Sequence, residues 1–286
     1  MYIISLDLGT TNSKAVVMKI ENDNIVLVGK VKSKSVDFAL FISEVLNKYN
    51  IKKEDIEKIV MTGTGASYVS ENESDFDILK VNEFEAVGYG GIILAKLEEG
   101  LVVSIGTGTS IVYSNLDKVS HIGGTGLGGG TLVGLGRRLL SIKKKEYNND
   151  DPAPNFKELI ELAKKGDHRN VDLTIADVNN GDIDNLTSDI TAANIAAIDK
   201  VATDADYMAG VINMIAETIG LLIKAYNVKK LPVVLIGTMV TDSYVHSVFD
   251  RVSDFTGDKY CYINDADYAI AIGAYEYYLL RLRKNI

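Results

Sequence analysis

Apolar positions along the chain fall into short runs divided by clusters of glycine, threonine and asparagine, and the period within each run predicts an element. Residues 2–6, 14–19 and 24–32 read as three strands, with the Glu21-Asn-Asp-Asn24 turn making the last two an antiparallel meander. Between 36 and 49 the apolar residues Phe38, Leu40, Phe41, Val45 and Leu46 fall at helical spacing. Residues 56–63 form a strand entering a glycine turn. A short strand follows at 78–81, and 84–96 reads as a buried helix. The strongest helix spans 208–226, where Val211, Ile212, Ile215, Ile219, Leu222 and Ile223 make a broad apolar stripe suited to a core or to a dimer contact. Residues 231–236 are a strand leading into Gly237-Thr238, and 268–275 run into a final helix.

One pattern occurs twice. Ile4-Ser-Leu-Asp-Leu-Gly-Thr-Thr-Asn-Ser-Lys14 is a strand, a Gly/Thr turn and a return. Gly100-Leu-Val-Val-Ser-Ile-Gly-Thr-Gly-Thr-Ser-Ile-Val-Tyr113 repeats it after roughly a hundred residues, as an internal duplication does. Two βββαβα-like halves with Gly/Thr hairpins facing a shared cleft resemble the α/β, ribonuclease-H-like architecture of actin-like ATPases and sugar kinases. The expected division is 1–98 and 99–286. Residues 147–188, rich in Asn, Asp and Lys and holding Pro152 and Pro154, read as surface helices and loops inserted in the second half, an insertion reaching to about 200.

Composition narrows the class. Of the 286 residues 47% are apolar and 24% charged, with only three prolines, as in a packed globular protein. A net charge of −9 argues against a nucleic-acid or anionic-membrane surface and fits a soluble cytoplasmic protein. No apolar run reads as long enough to span a bilayer, and no secretion signal is visible. A single Cys261 excludes an internal disulfide and a cysteine-based zinc site, and the scattered His121, His168 and His246 form no ligand cluster.

The candidate chemistry lies in the turns. A strand ending on Asp7 lifts a carboxylate to the sheet edge, and the turn behind it offers amides and hydroxyls; a plain hairpin and a site for a metal-bound polyphosphate both fit that stretch alone. Gly106-Thr-Gly-Thr-Ser110 would face it from the opposite wall. The run Gly123–Gly130 leads into a helix at 131–140, whose N-terminus favours an anion, and Gly237-Thr238 is placed to pass an adenosine. Each turn alone is ordinary, whereas four in this order point to one nucleotide site with Mg2+ organised by Asp7. Glu83 opens a helix directly after a strand end. Capping that helix is the simpler local role, while a base for a substrate hydroxyl is the functional one. Glu85, two residues on, faces another way.

Asp7 to Lys14, Asn82-Glu-Phe-Glu-Ala86, Ile105-Gly-Thr-Gly-Thr-Ser110 and Ile122-Gly-Gly-Thr-Gly-Leu-Gly-Gly-Gly-Thr131 together resemble the type II pantothenate kinases, which include the eukaryotic Fumble-like enzymes. The likeness continues through Lys165–Leu173, Asp189–Asn194, Val234–Thr238 and Ala271–Ala274. The resemblance implies a homodimeric enzyme that uses ATP and Mg2+ to phosphorylate pantothenate, the entry step to coenzyme A. It places Glu83 on the catalytic base and Asp7, Gly9, Thr10, Thr11, Asn12, Ser13 and Lys14 on the first phosphate motif. Thr107 and Ser110 fall on the second motif, where nucleotide and substrate meet. Gly129, Gly130, Thr131, Leu132 and Val133 fall on a later ATP-contacting stretch, and Thr238 on the adenosine motif. The family's substrate-holding arginine before the Gly-Gly run is His121 here, which cannot make a guanidinium's two-pronged contact. A neighbouring cation in its place, another small hydroxy substrate, or slow turnover would each account for it. An ATPase activator of the kind that holds an iron–sulfur cluster through cysteines is disfavoured by the lone Cys261.

Overall fold

Side-chain parity along β1 (Tyr2–Leu8) decides how the first half is built. Ile4, Leu6 and Leu8 pack on one face with Phe41, Ile42 and Val45 of a helix, while Ile3 packs on the other with Ala274, Tyr275 and Tyr278 near the C-terminus. The computed structural model describes residues 1–22, 24–70, 75–115, 117–143, 154–179, 190–197 and 201–284. The first half comprises β1, β2 (Ser13–Glu21), β3 (Asn24–Ser33), α1 (Phe38–Tyr49), β4 (Ile56–Thr62), β5 (Ile78–Lys80) and α2 (Glu83–Ala95). Then come β6 (Glu99–Ile105), β7 (Thr109–Asn115), β8 (Val119–Thr125) and α3 (Gly129–Lys143). The region expected as an insertion holds α4 (Phe156–Ala163), β9 (Leu173–Thr174), α5 (Ile175–Asn179) and β10 (Thr191–Ala193). Its residues 144–153, 180–189 and 198–200 lie outside the described ones. The chain ends with α6 (Asp204–Tyr226), β11 (Val233–Ile236), α7 (Ser243–Thr256), β12 (Tyr260–Tyr262) and α8 (Ala269–Lys284).

The two large sheets have matching orders, β3-β2-β1-β4-β5 and β8-β7-β6-β11-β12. In each, three strands form an antiparallel meander and two more add in parallel. In each, the first parallel strand ends on a glycine with positive φ, Gly63 (+89°) or Gly237 (+104°), followed by a short 3-10 turn. The duplication expected from the Gly/Thr turns is thus present strand for strand.

Helix α2 lies between the sheets. Its Ala86 packs with Ile3 and Val60 of the first, and its Val87 and Ile92 with Val102 and Val112 of the second. It crosses α8 where Gly90 faces the Ala269 carbonyl and Gly273 faces that of Ala86; neither glycine has room for a Cβ. Helix α8 returns to the first sheet, and Ser5 on β1 donates to the Ala271 carbonyl at 2.6 Å.

Three expectations change. Residues 123–125 of the glycine run belong to β8 rather than to a loop, because Gly124 lets the Thr109 carbonyl approach and Gly123 makes room for the Tyr226 ring. Helix α6 is, by length and composition, apolar enough to cross a bilayer, contrary to the sequence reading. Its Met208, Val211, Ile212, Ile215, Ile219 and Ile223 are buried against the second sheet, α4 and α7, which makes it a core helix. Helix α4 falls in the segment read as surface helices and loops, but helix α7 and strand β12 were not expected. They carry shorter amphipathic runs next to Asp- and Asn-rich turns, where a 3.6 period is hard to separate from loop sequence.

Candidate functional site

Asp7 shares a face of β1 with Ile3 and Ser5, so it projects toward α2 and α8 at the strand's end, opposite α1. Lys14 sits directly across on β2, its Nζ 3.6 Å from Asp7 Oδ2, and both side chains are largely buried. On the other side the end of β4 passes so close that a Cβ on Gly63 would come within 2.9 Å of Asp7 Oδ1. Burial pushes the Asp7 carboxyl above its ordinary pKa, and Lys14 pulls it part of the way back.

Glu83 is the first residue of α2, but it does not cap the helix. Asn82 does, accepting from the Phe84 N–H at 2.9 Å, which leaves the Glu83 carboxylate facing the cleft. Burial and then the Asp7 charge raise its pKa above the ordinary glutamate value. Glu85 turns away to the Tyr277 hydroxyl, as its spacing required.

The opposite wall is the turn at 106–108. Thr107 Oγ1 lies 3.1 Å from Thr10 Oγ1 and 3.0 Å from Thr11 Oγ1, so hydroxyls from both halves meet over the carboxylates. The glycine run serves this wall in an unexpected way. The Gly129 and Gly130 N–H groups donate to the Gly106 and Thr107 carbonyls at 2.8 and 2.9 Å, so the first two amides of α3 are spent on the neighbouring turn instead of facing an anion. Gly128 is needed because a Cβ there would meet the carbonyls of residues 106, 107 and 108 within 3.0 Å.

A cavity of about 630 Å³ joins these groups. Of the residues named from sequence, Asp7, Gly9, Thr10, Thr11, Asn12, Lys14, Glu83, Thr107, Ser110, Gly129, Gly130, Val133 and Thr238 line it. Four do not. Ser13 has the parity of Ala15 and Val17, which face α1, and its buried Oγ has no hydrogen-bond partner. Leu132 is in the core of the second half. Thr131 braces the loop, donating to the Gly126 carbonyl and accepting from the Gly128 N–H. His121 is exposed on β8 with its ring stacked on Phe84, centroids 4.3 Å apart.

Sequence reasoning missed Ser104, Thr64 and Phe156, which also line the cavity; Arg137 lines it too, a cation near His121 in the chain that the sequence alone could not place. Arg137 lies four residues after Val133 on the same face of α3, and its Nε donates to the Pro154 carbonyl at 3.3 Å. Ser104 follows the parity of Val102, toward α2, as Asp7 follows that of Ile3. Among the described residues no group of three or more His, Cys, Asp or Glu could cage a metal. A cation here would need ligands beyond protein carboxylates.

The solved structures with this fold include the activator of 2-hydroxyisocaproyl-CoA dehydratase from Clostridium difficile with bound ADPNP, 18% identical with a TM-score of 0.68 over 100% of this chain and 98% of that one. A ROK family glucokinase from Streptomyces griseus in complex with glucose and AMPPNP matches at 10% identity and a TM-score of 0.63, covering 97% of this chain and 99% of that one. These likenesses show the duplicated actin-like and sugar-kinase fold. In sequence, a type II pantothenate kinase of Oceanobacillus iheyensis is 32% identical over 222 residues, 74% of this chain and 79% of that protein. One from Bacillus cereus is 28% identical over 238 residues, 79% and 82% of the two chains. The Fumble family model matches residues 100–248, the stretch that runs from β6 through the glycine turns and α6 to α7. With that match and those relatives over most of its length, the chain belongs to the Fumble family of type II pantothenate kinases.

Proposed function

We propose that this protein is an ATP-dependent kinase that phosphorylates pantothenate to 4′-phosphopantothenate, the first step of coenzyme A synthesis. The observation that carries the reading is the pairing of Asp7 and Glu83 in one cleft with the hydroxyls of Thr10, Thr11 and Thr107, in a chain of this family. The nucleotide's phosphates would lie between the turns at 9–12 and 106–108, displacing the contacts among the threonine hydroxyls, with Lys14 neutralising charge. Thr238, Val133 and Arg137 line the part of the cavity left for adenosine. Glu83 takes the proton from the substrate hydroxyl as the new O–P bond forms and the bond between the β- and γ-phosphates breaks, releasing ADP. Its raised pKa makes it a stronger base than an ordinary surface glutamate.

Asp7 fits a role in holding Mg2+. It is a buried carboxylate facing the cavity with Lys14 at 3.6 Å, and this ion takes one or two carboxylates, phosphates and water instead of a protein cage. When bound, Mg2+ supplies charge neutralisation on the phosphates. The same reading makes the protein a cytoplasmic homodimer.

The test is ADP release by the purified protein with ATP, Mg2+ and pantothenate, beside Glu83→Gln. Turnover that depends on pantothenate and disappears in the variant supports the reading; nucleotide turnover indifferent to every added alcohol removes it. One observation favours a second substrate on the same scaffold. His121, standing where the family has an arginine, is stacked on Phe84 and lies outside the residues lining the cavity. Related pantoyl compounds and sugar alcohols in the same assay separate the two readings.

A further inference from the structure

A second cavity, of about 890 Å³, opens between α1 and the 3-10 turn Thr64–Tyr68. Its floor is apolar. Phe38, Ile42, Leu46, Ile51, Val69 and Phe76 line it, and Ala39, Ile42, Ser43 and Leu46 present one face of α1 to it. Three charged residues stand among the described lining, and each is engaged. Lys53 pairs with Asp75 and lies 5.1 Å from the centre of the Phe76 ring, while Asp37 accepts from the Leu40 N–H at the start of α1. An ionic ligand would therefore meet two charges paired with each other and a third that caps a helix. Uncharged polar residues in the lining include Ser43 and Asn47, one helical turn apart on α1, and Thr64, Tyr68 and Ser70 beyond it.

This cavity shares Gly9, Thr10 and Thr64 with the cleft, so one thin wall separates the two. The wall has little slack: a Cβ on Gly65 would come within 2.9 Å of Leu8 Cβ, and one on Gly63 within 2.9 Å of Asp7 Oδ1. A molecule pressing on the 64–68 turn therefore presses on Leu8, Asp7 and the turn at 9–10.

We propose that this cavity is a binding site for a neutral, mainly apolar small molecule of drug-like size, whose occupancy is coupled to nucleotide binding through the Gly9–Thr10 wall. The volume is that of a typical small-molecule pocket, and an apolar lining with a few polar groups is the usual composition. The coupling rests on the proposed nucleotide site; the binding does not.

The full-length protein is titrated with Nile red, a neutral apolar dye, and in parallel with the anionic dye ANS. Saturable Nile red binding, about tenfold or more tighter than ANS, is expected, and Ser43→Trp, which fills the cavity from an exposed position, should weaken it by about tenfold or more. Leu27→Lys, on the exposed apolar stretch of β3, should leave it unchanged. Saturating ADPNP should shift the dye's Kd several-fold, with an equal reciprocal shift in nucleotide affinity. Calorimetry of ADPNP alone separates the two claims, since absent nucleotide binding removes the kinase reading and leaves the dye site standing on its variants. Nile red binding that survives Ser43→Trp, is abolished by Leu27→Lys, or is weaker than that of ANS overturns the site. Tight binding of both ligands with no mutual shift overturns the coupling.

Discussion

Thr107 and Thr10 face each other from opposite halves of the molecule with their hydroxyl oxygens 3.1 Å apart, and Thr11 joins them at 3.0 Å from Thr107. A valine at 107 keeps the shape of the turn and removes its hydroxyl. A hydrogen bond to a charged group contributes about 1.5–3 kcal/mol, so Thr107→Val should lower kcat/KM roughly 10- to 100-fold. Thr107→Ser should retain most of the activity. Steady-state kinetics of the two variants side by side decide it, and equal losses in both would show that the methyl matters, not the hydroxyl.

Glu83 should show a conflict between activity and stability. Its carboxyl is raised in the folded chain, so the folded state holds its proton more tightly than the unfolded state and loses that stabilisation as pH rises through the folded pKa. Glu83→Gln should therefore abolish turnover, retain ATP binding, and be at least as stable as the parent at pH 7 in thermal melts. The acid limb of kcat/KM in the parent should fall above the ordinary glutamate value of 4.5.

Asp206 behaves in the opposite way. Burial alone would raise its pKa, but hydrogen bonds from the Asp167 N–H, the Thr203 hydroxyl and N–H, and the Asn170 amide hold it at about 2 against 3.8. The shift contributes about 2 kcal/mol at neutral pH, present above pH 4 and lost as pH falls toward 2. Asp206→Asn should cost about that much in urea unfolding at pH 7, and the gap to the parent should narrow in acid.

Gly237 has φ of +104° and no room for a Cβ beside the Ile105 carbonyl, whereas Gly257, at +73°, closes α7 in open space. Gly237→Ala should destabilise by about 1–3 kcal/mol and raise KM for ATP, because it displaces the adjoining Thr238. Gly257→Asn should cost a few tenths of that, since asparagine tolerates the left-handed region. Thermal melts compare the pair directly.

His121→Arg supplies the guanidinium that the resemblance to type II pantothenate kinases implies at this position. A rise in kcat/KM for pantothenate of about tenfold or more would identify the histidine as what limits use of that substrate. An unchanged value removes the missing guanidinium as the limit on that substrate.

The sheets were legible because alternation and glycine punctuation are local properties. The turn after Asp7, the Gly63 and Gly237 breaks and the strand parities could be read without contacts. Leu132 illustrates what a motif obscures: its i, i+4 partner is Gly136, where a Cβ would meet Leu159, and that spacing marks the core face of α3. The use of the Gly129 and Gly130 amides was not readable, because their acceptors at 106 and 107 lie more than twenty residues away in sequence. Nor could spacing decide between capping and catalysis for Glu83. That depended on Asn82, one residue earlier, taking the cap.

Where α2 crosses α8, backbone rests on backbone at Gly90 and Gly273 with no side chain wedged between. A crossing that close, with the rings of Tyr89 and Tyr277 packed beside it, fixes how the two sheets are set against each other and so how wide the mouth beside Glu83 stands. A methyl group added at Gly273 would act as a shim, prising the two helices apart from a point outside the cavity.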